Sequence, residues 1–186
     1  MMLNKKLETE LRNQKILPIL NTTNFSNDAK RLEVFLSINS NIKNIEITLR
    51  KDTSFEIAKQ LKNKFTNINF GLGSILSEQD YVKGSEAGFD FFVSPGIVMN
   101  LAKNKVINYI PGGETITEFM FLVDNGYSTI KFFPSNIAGG EKKLISIENI
   151  LKYANFIPTG GINLTNYMNF ISLKNVLCVG MSNFDG

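Results

Sequence analysis

The chain has 186 residues, of which 43% are hydrophobic and 20% are charged, and this composition predicts one folded domain over residues 1–186 rather than a disordered chain. The net charge of +3 comes from lysines scattered along the chain, with no basic block and no apolar run of about 18 residues, so neither nucleic-acid binding nor a membrane span is expected. The charged, amphipathic start of the chain lacks the apolar core of a secretory signal, which predicts a cytoplasmic location.

Histidine is absent and cysteine occurs once, at Cys178 within the apolar run 176–179. Ser-His-Asp and Cys-His nucleophiles are therefore excluded, and a zinc or iron site would have to be built almost entirely from carboxylates. Because free cysteines are usually buried, Cys178 is interpreted as a core residue. Any catalysis must rely on lysine, carboxylates, hydroxyls and backbone amides.

Short apolar segments typical of β-strands alternate with amphipathic helical segments along the chain. A helix is predicted over residues 5–13, and eight strands are predicted over residues 16–20, 44–48, 67–71, 89–93, 106–110, 128–133, 155–159 and 176–179. Between the strands, Thr53-x-x-Glu56 and Thr115-x-x-Glu118 match the capping box that begins a helix.

This alternation, with nearly continuous apolar strands, predicts a parallel sheet covered by helices and closed into a (β/α)8 TIM barrel. An open doubly wound sheet is the alternative. The last predicted strand ends seven residues before Gly186, so the eighth helix is predicted to be short or missing. Either the chain is simply short there, or the N-terminal helix or a neighbouring subunit covers that flank.

The sixth predicted strand carries a lysine within an apolar run. An amine attacks a carbonyl only when it is uncharged, and an ordinary lysine is almost entirely protonated at pH 7. Burial beside Ile130, Phe132 and Phe133 would favour the neutral amine of Lys131 and make it a Schiff-base nucleophile. The alternative is a lysine that covers apolar surface with its stem and keeps its charge in solvent.

In a barrel of this kind, the active site lies at the carboxyl ends of the strands. Polar or glycine-rich residues occur there at Glu46, Thr48 and Arg50, at 71–74, 94–96 and 111–113, at Lys131 and Pro134, and at 158–161 and 180–182. Glu46 lies between two isoleucines, so its side chain is predicted to face the barrel mouth. There it would either shuttle protons or form a structural ion pair with Arg50 or Lys131. Arg50 either binds a substrate carboxylate or phosphate or is a solvated loop charge.

The segment Thr159-Gly-Gly-Ile162 exposes backbone amides that suit phosphate oxygens, and barrels often bind phosphate after the seventh and eighth strands. The hydroxyl of Ser182, after the eighth strand, would complete such a site. A Gly-Gly pair alone is more often only a turn. Gly71-x-Gly73 lacks the third glycine of a dinucleotide fingerprint, so no nucleotide cofactor is indicated.

Over essentially its whole length, the chain resembles the class I 2-keto-3-deoxy-6-phosphogluconate (KDPG) aldolases, which also act as 4-hydroxy-2-oxoglutarate (KHG) aldolases. The segments that carry the resemblance, in order, are IEITLR (45–50), GLGSIL (71–76), FVSPG (92–96), IPG (110–112), IKFFP (130–134), GG (139–140), PTGGIN (158–163) and LCVG (177–180). The resemblance implies a homotrimeric (β/α)8 barrel without metal or organic cofactor. It implies cleavage of KDPG to pyruvate and glyceraldehyde 3-phosphate, and of 4-hydroxy-2-oxoglutarate to pyruvate and glyoxylate.

The resemblance also implies roles for individual residues. Lys131 would be the Schiff-base lysine and Glu46 the proton shuttle. The other implied residues are Arg50, Ser74, Pro95, Phe133 and Thr159 for the substrate, and Gly160, Gly161 and Ser182 for its phosphate. Three residues differ from the family pattern: Ser74 stands where threonine is typical, Asn136 where glutamate is common, and Met181 where a glycine precedes the phosphate-binding serine. The last difference bears on phosphate affinity.

Three other functions stay open on the sequence. The same chemistry could act on the galactonate epimer of the substrate or on unphosphorylated hydroxyoxoglutarate. A second possibility is an isomerase or synthase that binds a phosphorylated sugar without a Schiff base. A third is a barrel that binds its ligand without catalysis.

Overall fold

A computed structural model describes residues 3–185 of the chain as nine strands and eight helices. The strands are β1 (Ile16–Asn21), β2 (Asn44–Thr48), β3 (Asn69–Gly73), β4 (Phe91–Val93), β5 (Tyr109–Ile110), β6 (Gly112–Gly113), β7 (Thr129–Phe132), β8 (Asn155–Pro158) and β9 (Val179–Met181). The helices are α1 (Lys5–Gln14), α2 (Phe25–Ile38), α3 (Ser54–Lys64), α4 (Glu78–Glu86), α5 (Met99–Lys103), α6 (Ile116–Asp124), α7 (Gly140–Ile147) and α8 (Tyr167–Ile171). No helix in the described part of the chain is long and apolar enough to cross a membrane.

All paired strands are parallel, as near-continuous apolar strands predict. One sheet has six strands in the order β5-β4-β3-β2-β1-β9, and a second has the order β6-β7-β8. Only Pro111 separates β5 from β6, and two isolated parallel bridges, Phe156 to Val176 and Thr159 to Gly180, join β8 and its end to the last strand region. The sheet is thus a curled parallel α/β sheet. Its strand order runs without the reversal that defines a doubly wound sheet, so that alternative is wrong.

Each of the eight predicted segments overlaps an observed strand in the same order, but their ends differ, and the ninth strand, β6, lies outside the predicted segments. The third strand lies at Asn69–Gly73, two residues later than predicted, and the last at Val179–Met181, three residues later. The fifth predicted strand is reduced to Tyr109–Ile110 because Ile107 and Asn108 form a turn before it.

The two predicted capping boxes have different outcomes. Thr115 and Glu118 form both hydrogen bonds of the box at the start of α6, as predicted. The Thr53 prediction is wrong, because the side chain of Thr53 makes no cap hydrogen bond and its backbone is already in a helical conformation.

Two apolar clusters fill the interior. The larger one lies between the strands and the helices, and it contains the outward-facing Ile45, Ile47, Ile130 and Phe132. The smaller one lies on the inner face of the strands, and leucines of α1 pack there against Leu17 and its neighbours; its members are Leu3, Leu7, Leu11, Leu17, Phe91, Val93, Ile110, Ile157, Leu177 and Cys178. Cys178 is fully buried in this cluster, which confirms its interpretation as a core residue and raises the pKa of its thiol by desolvation.

Helix α1 covers the amino ends of the strands. Gln14 donates from its Nε2 to the carbonyls of Ile16 and Asn44, both at 2.9 Å, and Glu10 accepts hydrogen bonds from Asn44 and Asn69. The expectation that this helix covers the flank of a missing eighth helix is therefore wrong, because its leucines fill the end of the inner core instead. Within the described residues, which end at Asp185, β9 is followed by no helix.

Candidate active site

A pocket of about 630 Å³ lies at the carboxyl ends of the strands, opposite α1. Strand ends and the loops after them form its walls, as expected for parallel α/β folds. It brings together residues that are up to 163 positions apart in the chain, from Ile19 to Ser182. All ten implied site residues line it: Glu46, Arg50, Ser74, Pro95, Lys131, Phe133, Thr159, Gly160, Gly161 and Ser182.

The centre of the pocket is a buried contact between Lys131 and Glu46. The lysine Nζ lies 3.3 Å from Oε1 of Glu46, and the two side chains are 8% and 1% exposed. Strand alternation explains their direction, because their neighbours Ile130 and Phe132, and Ile45 and Ile47, all face the outer core. The alternative of a lysine that holds its charge in bulk solvent is therefore wrong.

This contact also joins the two sheets, since Glu46 lies on β2 and Lys131 on β7. A charged group buried to this extent is tolerated only with a partner, and each residue supplies the other's. Of the two ion-pair partners considered for Glu46, the structure brings Lys131 and not Arg50 into contact. The ring centre of Phe133 lies 5.5 Å from the Lys131 Nζ and forms an aromatic wall beside the amine.

Gly73 makes room for the carboxylate of Glu46. A Cβ at Gly73 would lie 2.0 Å from Oε1 of Glu46 and 2.6 Å from its Cδ, distances that no real contact has. Gly73 is therefore required because a larger residue would collide with Glu46 on the neighbouring strand β2, and not because of its own φ angle. Ser74, which follows it, does have a left-handed φ of 61° and holds its hydroxyl at the pocket wall.

On the other side, the pocket is lined by Gly160, Gly161 and Ser182. Both glycines have positive φ, 96° and 76°, a conformation that favours residues without a Cβ. Among the residues that the structure describes, the Gly161 amide and the Ser182 hydroxyl donate to no acceptor. Unsatisfied donors on a concave surface suit an anion with several oxygens, such as a phosphate. Asn136 packs against Gly161, where an added Cβ would lie 2.5 Å from the Cβ of Asn136.

Met181 does not enter this part of the pocket. Its side chain is fully buried in the outer core, whereas its neighbours Gly180 and Ser182 line the cavity. Gly180 gives space to Thr159, whose Oγ1 would lie 2.2 Å from a Cβ at that position. The departure from the family pattern at Met181 therefore changes the packing behind the strand and leaves the cavity surface to Gly180 and Ser182.

Arg50 follows β2 at the rim of the pocket. It is exposed, and it forms no ion pair with any residue between 3 and 185. Its guanidinium is thus free for a ligand, in contrast to Arg31, which pairs with Asp185. Pro95 and Thr159 line the cavity as well, and Thr159 is nearly buried.

In two of the predicted strand-end segments, 94–96 and 111–113, some residues do not line the pocket. The Ser94 hydroxyl is buried and bonds to the Tyr109 hydroxyl at 2.6 Å, so it supports the strand and does not reach the pocket. In the same way, Gly112 gives space to the backbone of Pro95, with its hypothetical Cβ 2.3 Å from the Pro95 carbonyl oxygen.

Asn21, which ends β1 and lines the pocket, is absent from the strand-end residues predicted from the sequence. Its Oδ1 accepts a hydrogen bond of 2.9 Å from the Thr48 hydroxyl, so two neighbouring strand ends are linked at the cavity wall. The signal was available, because Asn21 is the first polar residue after the apolar run 16–20 and thus occupies the same position on its strand as the other candidates.

Comparison with known proteins places this geometry in context. The model of the family described as "Aldolase: KDPG and KHG aldolase" matches residues 7–185. The KHG/KDPG aldolase of Escherichia coli K12 is 34% identical over 144 residues, which are 76% of this chain and 68% of that protein.

Two crystal structures are similar along nearly the whole chain. The KDPG aldolase of Legionella pneumophila, with pyruvate captured at low pH as a covalent carbinolamine, has a TM-score of 0.85 and 31% identity, covering 93% of this chain and 84% of that one. The KDPG aldolase of Zymomonas mobilis ZM4 with 3-phosphoglycerate has a TM-score of 0.88 and 30% identity, covering 98% and 87%.

Proposed function

The chain belongs to the KDPG and KHG aldolase family, and we propose that it is a class I aldolase that cleaves KDPG to pyruvate and glyceraldehyde 3-phosphate. We propose that it also cleaves 4-hydroxy-2-oxoglutarate to pyruvate and glyoxylate. The observation that carries the proposal is the buried contact of 3.3 Å between the Lys131 amine and the Glu46 carboxylate at the centre of the pocket.

The first half of the reaction forms an imine. The neutral Lys131 amine attacks the C2 ketone of the substrate, and a proton passes to the resulting alkoxide to give a carbinolamine. Glu46 is within hydrogen-bond reach of Nζ, so it can take the amine proton and return it to the departing hydroxyl as water leaves. The Legionella pneumophila relative holds pyruvate as a covalent carbinolamine, which is the kind of intermediate that this step forms.

The second half breaks the C3–C4 bond. The protonated imine accepts the electron pair of that bond while Glu46, directly or through a water, takes the proton of the C4 hydroxyl. The aldehyde product leaves, and the enamine of pyruvate remains on Lys131. Protonation at C3 and hydrolysis of the imine then release pyruvate and restore the free amine. One carboxylate therefore handles protons at both stages.

The remaining residues bind the substrate. We assign the substrate carboxylate to Arg50 and Thr159, because both line the cavity with Lys131 and Arg50 forms no ion pair with residues 3–185. Ser74, Pro95 and Phe133 shape the cavity around the keto acid. At the far side, Gly160, Gly161 and Ser182 bind the phosphate; the donors of Gly161 and Ser182, which have no partner among residues 3–185, support this assignment.

The test is reduction with borohydride in the presence of pyruvate, followed by mass spectrometry of peptides. The expected result is one adduct on the peptide that contains Lys131. Lys152, exposed on the surface, serves as the control lysine, and its replacement by arginine is expected to leave the adduct unchanged. Turnover without any borohydride-sensitive intermediate would contradict the proposal and favour an isomerase or synthase. Pyruvate binding without lyase activity would favour a binding-only protein.

We further propose that residues 1–186 form one domain and that the curled sheet closes into a full (β/α)8 barrel. The bridges from β8 to the last strand region, and the proximity of β5 and β6 across Pro111, support closure on both sides. A homotrimer and a cytoplasmic location are proposed on the family resemblance and the composition. Light scattering coupled to size-exclusion chromatography tests the trimer, and a monomer at working concentration would contradict it.

A further inference from the structure

Arg31 lies on α2, outside the pocket, and holds the segment that follows β9. Its guanidinium forms an ion pair with Asp185 through Nε and Nη2, and its Nη2 also donates to the backbone carbonyl of Ser182 at 3.3 Å. Its Cζ lies 4.6 Å from the ring centre of Phe184, which in turn packs edge-on against Phe35 of α2 at 4.7 Å. One arginine thus contacts three of the four residues in 182–185.

These contacts matter because of where the segment lies. Ser182 lines the pocket, but β9 ends at Met181 and no helix follows it within the described residues. Arg31 of α2 holds the carbonyl of Ser182, while the Ser182 hydroxyl has no partner among residues 3–185 and is available to the pocket.

The charges of Arg31 and Asp185 favour a stable ion pair. The hydrogen bond from Arg31 lowers the pKa of Asp185, and the same bond raises the pKa of Arg31, so both groups are charged at neutral pH. The base of α2 is itself fixed, since Asp28 accepts hydrogen bonds from the backbone and hydroxyl of Thr23 at 2.8 and 2.9 Å.

We propose that Arg31 is a positioning residue that fixes Ser182 at the phosphate end of the pocket and thereby gives the enzyme its preference for phosphorylated substrates. This inference rests on the proposed function, which assigns Ser182 to the phosphate. Arg31 acts through Ser182, since it lies on the outer surface of α2 and does not line the pocket. The reacting pair, Lys131 and Glu46, lies on strands that Arg31 does not contact.

The experiment compares Arg31→Ala with the wild type on two substrates, KDPG and the unphosphorylated 4-hydroxy-2-oxoglutarate. With a charge-assisted hydrogen bond to the loop removed, KM for KDPG is expected to rise about tenfold. The values of kcat for KDPG and of kcat/KM for 4-hydroxy-2-oxoglutarate are expected to change less than about twofold, because the reacting groups keep their positions. Asp185→Asn, which leaves the arginine in place, is expected to give a smaller rise in the same KM.

Two further variants make the test specific. Lys30→Ala removes the same charge from the adjacent position of α2, where the lysine forms no ion pair with the described residues, and is expected to leave both substrates unaffected. In the Ser182→Ala background, Arg31→Ala is expected to have no further effect on KM for KDPG, because the two residues act as one unit. Arg31→Lys is expected to recover part of the loss.

Three results would overturn the inference: equal losses on both substrates, an unchanged KM for KDPG, or additive effects of Arg31→Ala and Ser182→Ala. Thermal unfolding and the pyruvate adduct on Lys131 separate the failures. If wild-type protein forms no adduct, the proposed aldolase function fails. If the adduct forms normally in every variant but Arg31→Ala affects KDPG and 4-hydroxy-2-oxoglutarate equally, only the proposed role of Arg31 is wrong.

Discussion

At the amino ends of the strands, apolar side chains fill the interior and polar groups are paired, whereas at the carboxyl ends the space is open and donors lack partners. Leu7 and Leu11 are buried in the inner core, and Gln14 of the same helix bonds to backbone atoms of β1 and β2. At the other end, Gly161 and Ser182 have donors without acceptors among residues 3–185, and Lys131 and Glu46 are buried as charged or polar groups.

The comparison indicates that the amino ends of the strands stabilise the fold, whereas the carboxyl ends contain features that destabilise it. Burial of leucines and satisfied hydrogen bonds stabilise the amino end. A left-handed φ at Ser74, which is not a glycine, and a buried polar pair make the carboxyl end less favourable in isolation. Changes at the two ends should therefore affect different measurements: activity at the carboxyl end and the free energy of unfolding at the amino end.

The largest effect is expected at the reacting pair. Lys131→Arg should abolish the pyruvate adduct and reduce activity at least 10⁴-fold, because it removes the proposed nucleophile. Glu46→Gln keeps the size of the side chain but removes the proton acceptor, and a reduction in kcat of about 10²–10⁴-fold is expected. Steady-state kinetics measure both effects. Near-normal activity of the Glu46 variant would contradict its role as proton shuttle.

A second large effect is expected from Gly73→Ala. The added Cβ would lie 2.0 Å from Oε1 of Glu46, so the carboxylate must move away from the Lys131 amine. A loss of kcat of about 10²-fold is expected, because small misplacement of a catalytic group has effects of that order. Gly96→Ala is the matched control, since nothing lies within 4 Å of a Cβ there. Equal activity of the two alanine variants would show that Glu46 does not need its present position.

At the amino end, Leu11→Ala should lower the free energy of unfolding by about 2–5 kcal/mol, as for other fully buried leucines, without changing kcat of the folded enzyme. Ile107→Ala, at a residue that is 68% exposed near the same end, should change stability by less than about 0.5 kcal/mol. Denaturant unfolding measures both variants. A large loss of kcat in Leu11→Ala at temperatures where the protein is folded would show that the two ends are coupled.

The smallest effect concerns pH and the ion pair of Asp185. Arg31 lowers the folded-state pKa of Asp185 below its ordinary value of 3.8, so the pair contributes stability above that pH, and the contribution is lost as the pH falls through the folded pKa. The difference in unfolding free energy between wild type and Asp185→Asn should be about 0.2–1 kcal/mol at pH 5–8. It should disappear in acid below pH 3.8. A difference that grows as the pH falls would contradict the ion pair.

Local patterns predicted much of the fold because they depend on neighbouring residues. Alternation along the strands predicted that Glu46 faces inward, and the structure confirms it, with Ile45 and Ile47 in the outer core. The Thr115 capping box was also correct. The box at Thr53 failed because the helix begins differently there: the Ser54 amide bonds to the Lys51 carbonyl in a local turn, and the Ser54 hydroxyl bonds to that of Thr22 at 2.8 Å. The box at Ser77 and Asp80 was missed because aspartate stands where the pattern has glutamate.

The sequence by itself determined the order of the elements, the inward direction of Glu46 and Lys131, and the set of strand ends that face one side, since all of these follow from periodicity and from parallel pairing. Only the tertiary structure decided three things. Glu46 and Lys131 meet at 3.3 Å although they lie in different sheets. Helix α1 covers the amino ends of the strands rather than a lateral flank. Arg31 holds the segment that carries Ser182. The physical reason is that distances between residues 85 to 151 positions apart depend on how the sheets curl and pack, which no local pattern encodes.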